Sequence, residues 1–246
     1  MMMIRNNVAT HLLTTKKYLD DNQSLASMKA LIINCTLKPS PAFSNTDALI
    51  NKAASQLQEK NVGTEIIRLV DYEVKPGNSS DQGNGDQWPL ILEKIRNCDI
   101  LIIGTPIWMG HLASTAQRMI ERLDAIFHEE GFTDEKTGQY FTYNKVAGCL
   151  ITGNEDGAHS CAAQLLWSMQ ELGFTIPPNV NAYWVGLAGG DQDYVEAGGE
   201  QYLYTNTTLR YMIGNLTYFA NLLKNNPIDT NLKELEEAAK AESDPE

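Results

Sequence analysis

The chain has 246 residues, 43% of them apolar, and 19 Lys and Arg against 31 Asp and Glu give a formal net charge of −12. That length and apolar content suit one substantial core, and the negative balance argues against nucleic acid or an anionic membrane as a main partner. No apolar run approaches the roughly 20 residues that span a bilayer, and the opening MMMIRNNVATHLLTTKKYLDD lacks the pattern of a signal peptide.

Residues 1–27 are polar and weakly patterned. Three readings of this extension stay open: an arm on a partner subunit, a loose extension, or a segment upstream of the fold. From Met28 the alternation is regular. Ala30–Asn34 reads as a strand and Ser44–Lys60 as a helix, with Leu49, Ile50, Ala53, Ala54 and Leu57 on one face. Ser44 is its expected N-cap, with Asp47 in the first turn. Thr64–Leu69 reads as a strand, Tyr72–Asp86 as a polar glycine-rich loop and Gln87–Arg96 as a short helix. Ile100–Gly104 is a continuous apolar run, expected to be a strand buried on both faces and stopped by Gly104 and Pro106. A helix is expected from about Ser114 to Phe127, then a polar excursion, His128–Asn144, outside the core. Lys145–Thr152, Ala158–Leu172 and Val180–Trp184 read as strand, helix and strand. A glycine-rich loop, Gly186–Gly199, leads to a closing helix, Glu200–Leu223. Residues 225–246 form an acidic tail, with seven acidic side chains and two lysines.

Strands alternating with helices imply right-handed βαβ units. The expected fold is α/β, a three-layer doubly wound sheet of five parallel strands in the order 2-1-3-4-5 over residues 28–224. Cys35, Cys98, Cys149 and Cys161 stand singly and have no CxxC spacing, which suits buried thiols in a reducing, cytoplasmic setting. His11, His111, His128 and His159 make no ligand pair, so no metal site is expected.

In such a sheet the loops after the first, third and fourth strands meet at the switch point. The first, Cys35–Thr46, is rich in hydroxyls. Free N–H groups at a helix N-terminus, with Thr36, Ser44 and Thr46, would hold a phosphate without a cation; an ordinary capped loop is equally compatible. It is neither a Walker A loop nor a GxGxxG turn. After the third strand, Trp108 either caps the core under a loop or borders a ligand.

Three elements then carry a family resemblance. They are Phe43-Ser44-Asn45-Thr46, Thr105-Pro106-Ile107-Trp108-Met109-Gly110 and Thr152-Gly153-Asn154-Glu155-Asp156-Gly157. The middle one is the most specific, because CDILIIGTPIWMGHLASTAQRMIERL follows the GTPxYxG run of the flavodoxin-like NAD(P)H-dependent FMN reductases and NAD(P)H:quinone oxidoreductases. The chain from about Met28 to Leu223 resembles that family. The resemblance implies an FMN site, with Thr36, Ser44, Asn45 and Thr46 at the 5′-phosphate. Pro106, Ile107, Trp108 and Met109 would run along the ring system, flanked by Thr105 and Gly110. Thr152, Gly153, Asn154, Asp156 and Gly157 would reach the pyrimidine edge. NAD(P)H would be the co-substrate, a quinone, flavin or similar small molecule the acceptor, and a homodimer or homotetramer the assembly. Hydride transfer needs no side-chain acid or base, so no catalytic residue is singled out.

Two departures stand out. Lys38 occupies the place of a basic residue near the phosphate, but its loop carries Pro39 and Pro41 and no glycine. The iron–sulfur flavoproteins of the same group carry a cysteine cluster after the second strand, where this chain reads DYEVKPGNSSDQGNGDQW; without thiolate ligands no cluster is expected. His159, Glu155 and Asp156 would sit beside the flavin edge, where His159 reads either as an exposed helix-start residue or as a catalytic one. Tyr183, Trp184 and Tyr194 either border the substrate pocket or belong to a plain connection. The competing function is a flavodoxin-type electron carrier docking on a redox partner, against which the first loop lacks the T-x-T-G-x-T pattern.

Overall fold

Neighbouring apolar runs pair in parallel. β1 (Lys29–Asn34) lies between β2 (Gly63–Arg68) and β3 (Ile100–Trp108), and β3 continues through β5 (Val146–Gly153) to β6 (Asn181–Val185). This computed structural model describes residues 28–187 and 190–243; the readings offered for residues 1–27 lie outside them. Side chains alternate across the sheet. Ala30, Ile32, Ile100, Ile102 and Leu150 face a core shared with α1 (Asn45–Glu59) and α6 (Leu203–Asn225). Leu31, Ile33, Leu101, Ile103 and Ile151 face a second core under α2 (Trp88–Arg96), α3 (Ser114–Leu123) and α5 (Ala158–Glu171). Burying each such Leu or Ile contributes about 1.5–3 kcal/mol, which is why strands apolar on both faces need helices on both.

The five parallel strands have the doubly wound order expected. One strand was not foreseen: β4 (His111–Leu112) pairs antiparallel with the end of β3, so the full order is β2-β1-β3-β5-β6 with β4 attached to β3. The expected stop at Gly104 is also corrected, since β3 runs on to Trp108. Past Gly104 the strand has left β1, whose last pair is Asn34 with Gly104, but keeps β5 as far as Pro106 and Thr152. One side of the strand is therefore already free where Pro106 lacks a donor. Gly104 is there for space: a Cβ would come within 2.5 Å of Ile50 Cδ1. The helix expected over 114–127 breaks at Asp124 into α3 and a single turn, α4 (Ala125–His128).

The Tyr72–Asp86 loop is tied down by one fully buried ion pair. Arg122, from α3, donates to Asp86 Oδ2 at 2.7 Å, to Ser79 O at 2.9 and 2.7 Å and to Lys75 O at 2.9 Å. Burial alone would raise the Asp86 carboxyl. The Arg122 hydrogen bond and the amides of Gln82, Trp88 and Lys75 together outweigh it and hold the group far below the usual carboxylate range.

The 128–144 excursion closes on itself through a Thr133–Tyr140 bridge and receives the tail: Gln139 Nε2 donates to Ile228 O and Thr230 O, and Leu232 N to Thr137 O. Beyond it α7 (Leu232–Glu242) buries no residue. Among the described residues no helix is long and apolar enough to cross a membrane.

Candidate functional site

The carboxyl ends of β1, β3 and β5 open onto a cleft of about 250 Å³. Its lining includes Thr36, Lys38, Ser44, Asn45 and Thr46 from the first loop, Pro106, Ile107 and Trp108 from β3, and Thr152, Gly153 and Asn154 after β5. Eleven of the residues expected at a site thus converge. Leu37, Glu155, Asp193 and Tyr194 complete the lining.

The first loop takes its path from three side chains behind it. Asn34, buried at the end of β1, accepts from Thr36 N and donates to Asp47 Oδ1, each at 2.9 Å. Arg68, at the end of β2, donates to Lys38 O at 3.1 Å, Ala42 O at 2.8 Å and Asp47 Oδ2 at 2.9 Å. Asp71 accepts from Ser40 N at 2.8 Å. These clamps replace the missing glycines and hold a loop with two prolines against the start of α1. Ser44 Oγ caps the helix by accepting from Asp47 N at 3.3 Å. Among the described residues nothing takes the backbone N–H of Ser44, Asn45 or Thr46. The hydroxyls of Thr46 and Thr152, two lining residues, meet at 2.8 Å.

Asn45 has a second partner set. Its Nδ2 donates to Asp193 Oδ2 and its Oδ1 accepts from Val195 N, each at 3.0 Å, so it holds the loop before α6 at the cleft edge. That loop supplies Tyr194, whose ring packs edge-on against Trp184 and whose buried hydroxyl has no partner among the described residues. Burial, then nearby Glu200, pushes the Tyr194 hydroxyl up to about 12, so it stays a neutral donor. The open choice for this loop is thereby resolved for Tyr194, which borders the cleft.

Trp108 is 51% exposed and lines the cleft instead of capping the core. Met109 and Gly110 form the two-residue turn between β3 and β4, with φ of +52° and +76°, the left-handed pair of a type I′ hairpin. Both amides are taken by Glu155: Met109 N donates to Oε1 at 3.0 Å and Gly110 N to Oε2 at 3.2 Å. Thr105 is fully buried and accepts from Ala113 N at 3.3 Å. Thr105, Met109, Gly110, Asp156 and Gly157 lie outside the cleft's lining; Thr105 is buried, whereas Met109 and Asp156 are exposed. His159 is exposed at the start of α5, with Nε2 at 3.0 Å from the Tyr183 hydroxyl.

Asn34 and Arg68 are the residues that sequence reasoning passed over, and Glu155 was placed beside the flavin edge without its bond to the hairpin. Arg68 had no signal, since it acts from another strand. Asn34 had one: a polar residue ending an otherwise apolar strand. Among the described residues no three His, Cys, Asp or Glu converge as metal ligands. Burial raises all four thiols, that of Cys161 to about 11, so they are not thiolates at neutral pH.

The sequence profile of the family described as NADPH-dependent FMN reductase matches residues 28–186. The chain is 39% identical over 227 residues to the 8-demethyl-8-aminoriboflavin-5'-phosphate synthase of Streptomyces davaonensis, covering 89% of this chain and 87% of that one. A crystal structure of RosB with the bound intermediate 8-demethyl-8-formylriboflavin-5'-phosphate superposes with a TM-score of 0.81 at 36% identity, over 89% of each chain. An iron–sulfur flavoprotein of Archaeoglobus fulgidus is 29% identical over 146 residues, 56% of this chain and 66% of that one.

Proposed function

The chain belongs to the NADPH-dependent FMN reductase family, and from that premise we propose that it binds FMN in the cleft and uses it to pass electrons from NAD(P)H to a small acceptor, a quinone, a free flavin or a similar molecule. The observation that carries this reading is the pairing of two unlike ends in one cleft. At one end three unclaimed amides, Ser44 to Thr46, sit at a helix N-terminus beside the Thr36 and Thr46 hydroxyls; at the other, Pro106, Ile107 and Trp108 supply an apolar lining. A phosphate on a planar ring system has that same division. The lining acids Glu155 and Asp193 are each already hydrogen-bonded to protein donors, and Lys38 supplies a cation. The orphaned Tyr194 hydroxyl is a further donor at this site. The donor set fits the cofactor.

In this reading Thr36, Lys38, Ser44 and Thr46 bind the phosphate, while Asn45 binds it through its amide and positions the Asp193–Val195 segment through its side chain. Pro106, Ile107 and Trp108 exclude water from one ring face, and Thr152, Gly153 and Asn154 take the pyrimidine edge. Thr105, Met109, Gly110, Asp156 and Gly157 belong to the strand end and turns that carry these contacts. When bound, FMN supplies the hydride-accepting chemistry, so the chain's own task is position and local dipoles. An assembly of two or four copies accompanies the reading, supported by the exposed face of α6 with Tyr204, Tyr211 and Tyr218 at seven-residue intervals.

A titration comparing FMN with riboflavin tests the phosphate end. Two charge-assisted hydrogen bonds at about 1.5 kcal/mol each predict roughly 100-fold weaker riboflavin binding; equal affinities would remove the basis for the reading. A second reading has its own observation in the Streptomyces relative, which is named for making an altered flavin phosphate. There the flavin in the same cleft would be the substrate. Mass spectrometry of the flavin recovered after aerobic incubation separates the two: an unchanged mass supports the reductase, a mass change at the ring the modifying enzyme.

A further inference from the structure

The two walls of the cleft's ring end are zipped together at three points. Gly153 lies against Ile107, where a Cβ would come within 2.8 Å of Cδ1. Gly157, at φ +134°, lies against Gly110, where a Cβ would come within 2.7 Å of Cα. Between them the Glu155 carboxylate accepts from Met109 N and Gly110 N. Two consecutive residues in left-handed conformation turn their N–H groups to one point, a backbone nest that suits an anion. The anion in this nest is the protein's own. Glycine contacts only allow the walls to approach; the carboxylate is the attractive link, since it joins the Trp108 hairpin to the β5–α5 loop through two charge-assisted bonds.

We infer that Glu155 is a positioning residue for the flavin, on the proposed reading that this cleft binds one: it sets the hairpin so that Trp108 forms the ring wall, and it withholds the Met109 and Gly110 amides from the ligand. The ring meets an apolar surface on this side and finds its amide donors on the opposite loop, where nothing described takes the N–H of Asn154 or Glu155. This reverses the role that the motif suggests for Met109 and Gly110, which serve Glu155 first. Because a lining residue carries the charge, the carboxylate also opposes negative charge gained by the ring on reduction, and so lowers the potential of the bound flavin.

Glu155→Ala and Glu155→Gln, made in the full chain, test this with three readouts. In flavin-free protein, amide exchange at Met109 and Gly110 is expected to speed up at least tenfold in the alanine variant and less in the glutamine variant, which keeps one acceptor oxygen. FMN dissociation constants are expected to rise about tenfold and by a smaller factor in the same order. The midpoint potential of bound FMN is expected to rise in both variants, since both remove the charge. Unchanged exchange would overturn the clamp. Faster exchange with wild-type FMN affinity and potential would overturn the positioning role and leave a purely structural one. Failure of the wild-type chain to bind FMN would sink the functional reading, while the exchange comparison would still decide the clamp.

Discussion

Two loops of this chain look alike in sequence and behave differently in the fold. Tyr72–Asp86 and Gly186–Gly199 are both polar and glycine-rich, and both connect a strand to a helix. The first is fixed by the buried Arg122–Asp86 pair under Trp88, whose ring lies 5.7 Å from the guanidinium. It belongs to the scaffold. The second, in its described part, is held at the cleft by two hydrogen bonds from one side chain, Asn45, and contributes Asp193 and Tyr194 to the lining. The difference teaches that loop composition says nothing about role; the residue that reaches the loop decides it. A buried charge pair makes a loop permanent, whereas a pair of hydrogen bonds from one side chain places a loop at the cleft edge.

The largest effect expected from this contrast is at Arg122. Arg122→Met leaves the Asp86 carboxylate buried without its partner, and about 3–5 kcal/mol of stability is expected to go, read as a lower urea midpoint. A loss below 1 kcal/mol would mean that the loop is held some other way. Acid is the next probe. Because the folded Asp86 group is held below its unfolded value of about 3.9, its contribution is present above that pH and is lost as pH falls toward the folded value. Asp86→Asn removes that titration, so its stability should fall less steeply than wild type below about pH 4.

A smaller effect, and on a different property, is expected at the second loop. Asn45→Ala should weaken FMN about tenfold, as two hydrogen bonds of about 1 kcal/mol each are replaced in part by water, with little change in urea midpoint. If Asn45→Ala lowers stability as much as Arg122→Met, the contrast between the loops fails. The smallest effect is expected from the tail, which we propose to be separate from the FMN-binding unit of residues 28–224. Deleting residues 232–246 removes a helix that buries nothing, and should cost less than about 1 kcal/mol with FMN affinity unchanged.

The sheet was legible because parallel strands covered on both faces must be apolar throughout, and Ala30–Asn34 and Ile100–Ile103 show that plainly. Chain order then followed from the handedness of crossovers. The end of β3 was not legible, because whether Pro106 breaks a strand depends on which neighbour is still paired there. β4 was too short to show a period, although Met109-Gly110 between Trp108 and His111 is a turn signal in hindsight. At the site, eleven expected residues line one cleft because local motifs after the strand ends carry them. Glu155 sat inside the third motif and was read only as a neighbour of the flavin edge, since its bond to the hairpin spans 45 and 46 residues of chain. Arg68 acts from the neighbouring strand, which no local pattern encodes, whereas Asn34 binds within its own strand–loop–helix unit and shows itself as a polar residue ending an apolar run.

The most direct test of the central claim is the visible absorption spectrum of the protein equilibrated with FMN and freed of excess, recorded before and after anaerobic addition of NADPH and then NADH. Bound flavin bands that bleach within the mixing time are the predicted result. Bands that persist until a chemical reductant is added would contradict the reductase and favour the electron carrier; no retained flavin at all would contradict the cleft's assignment.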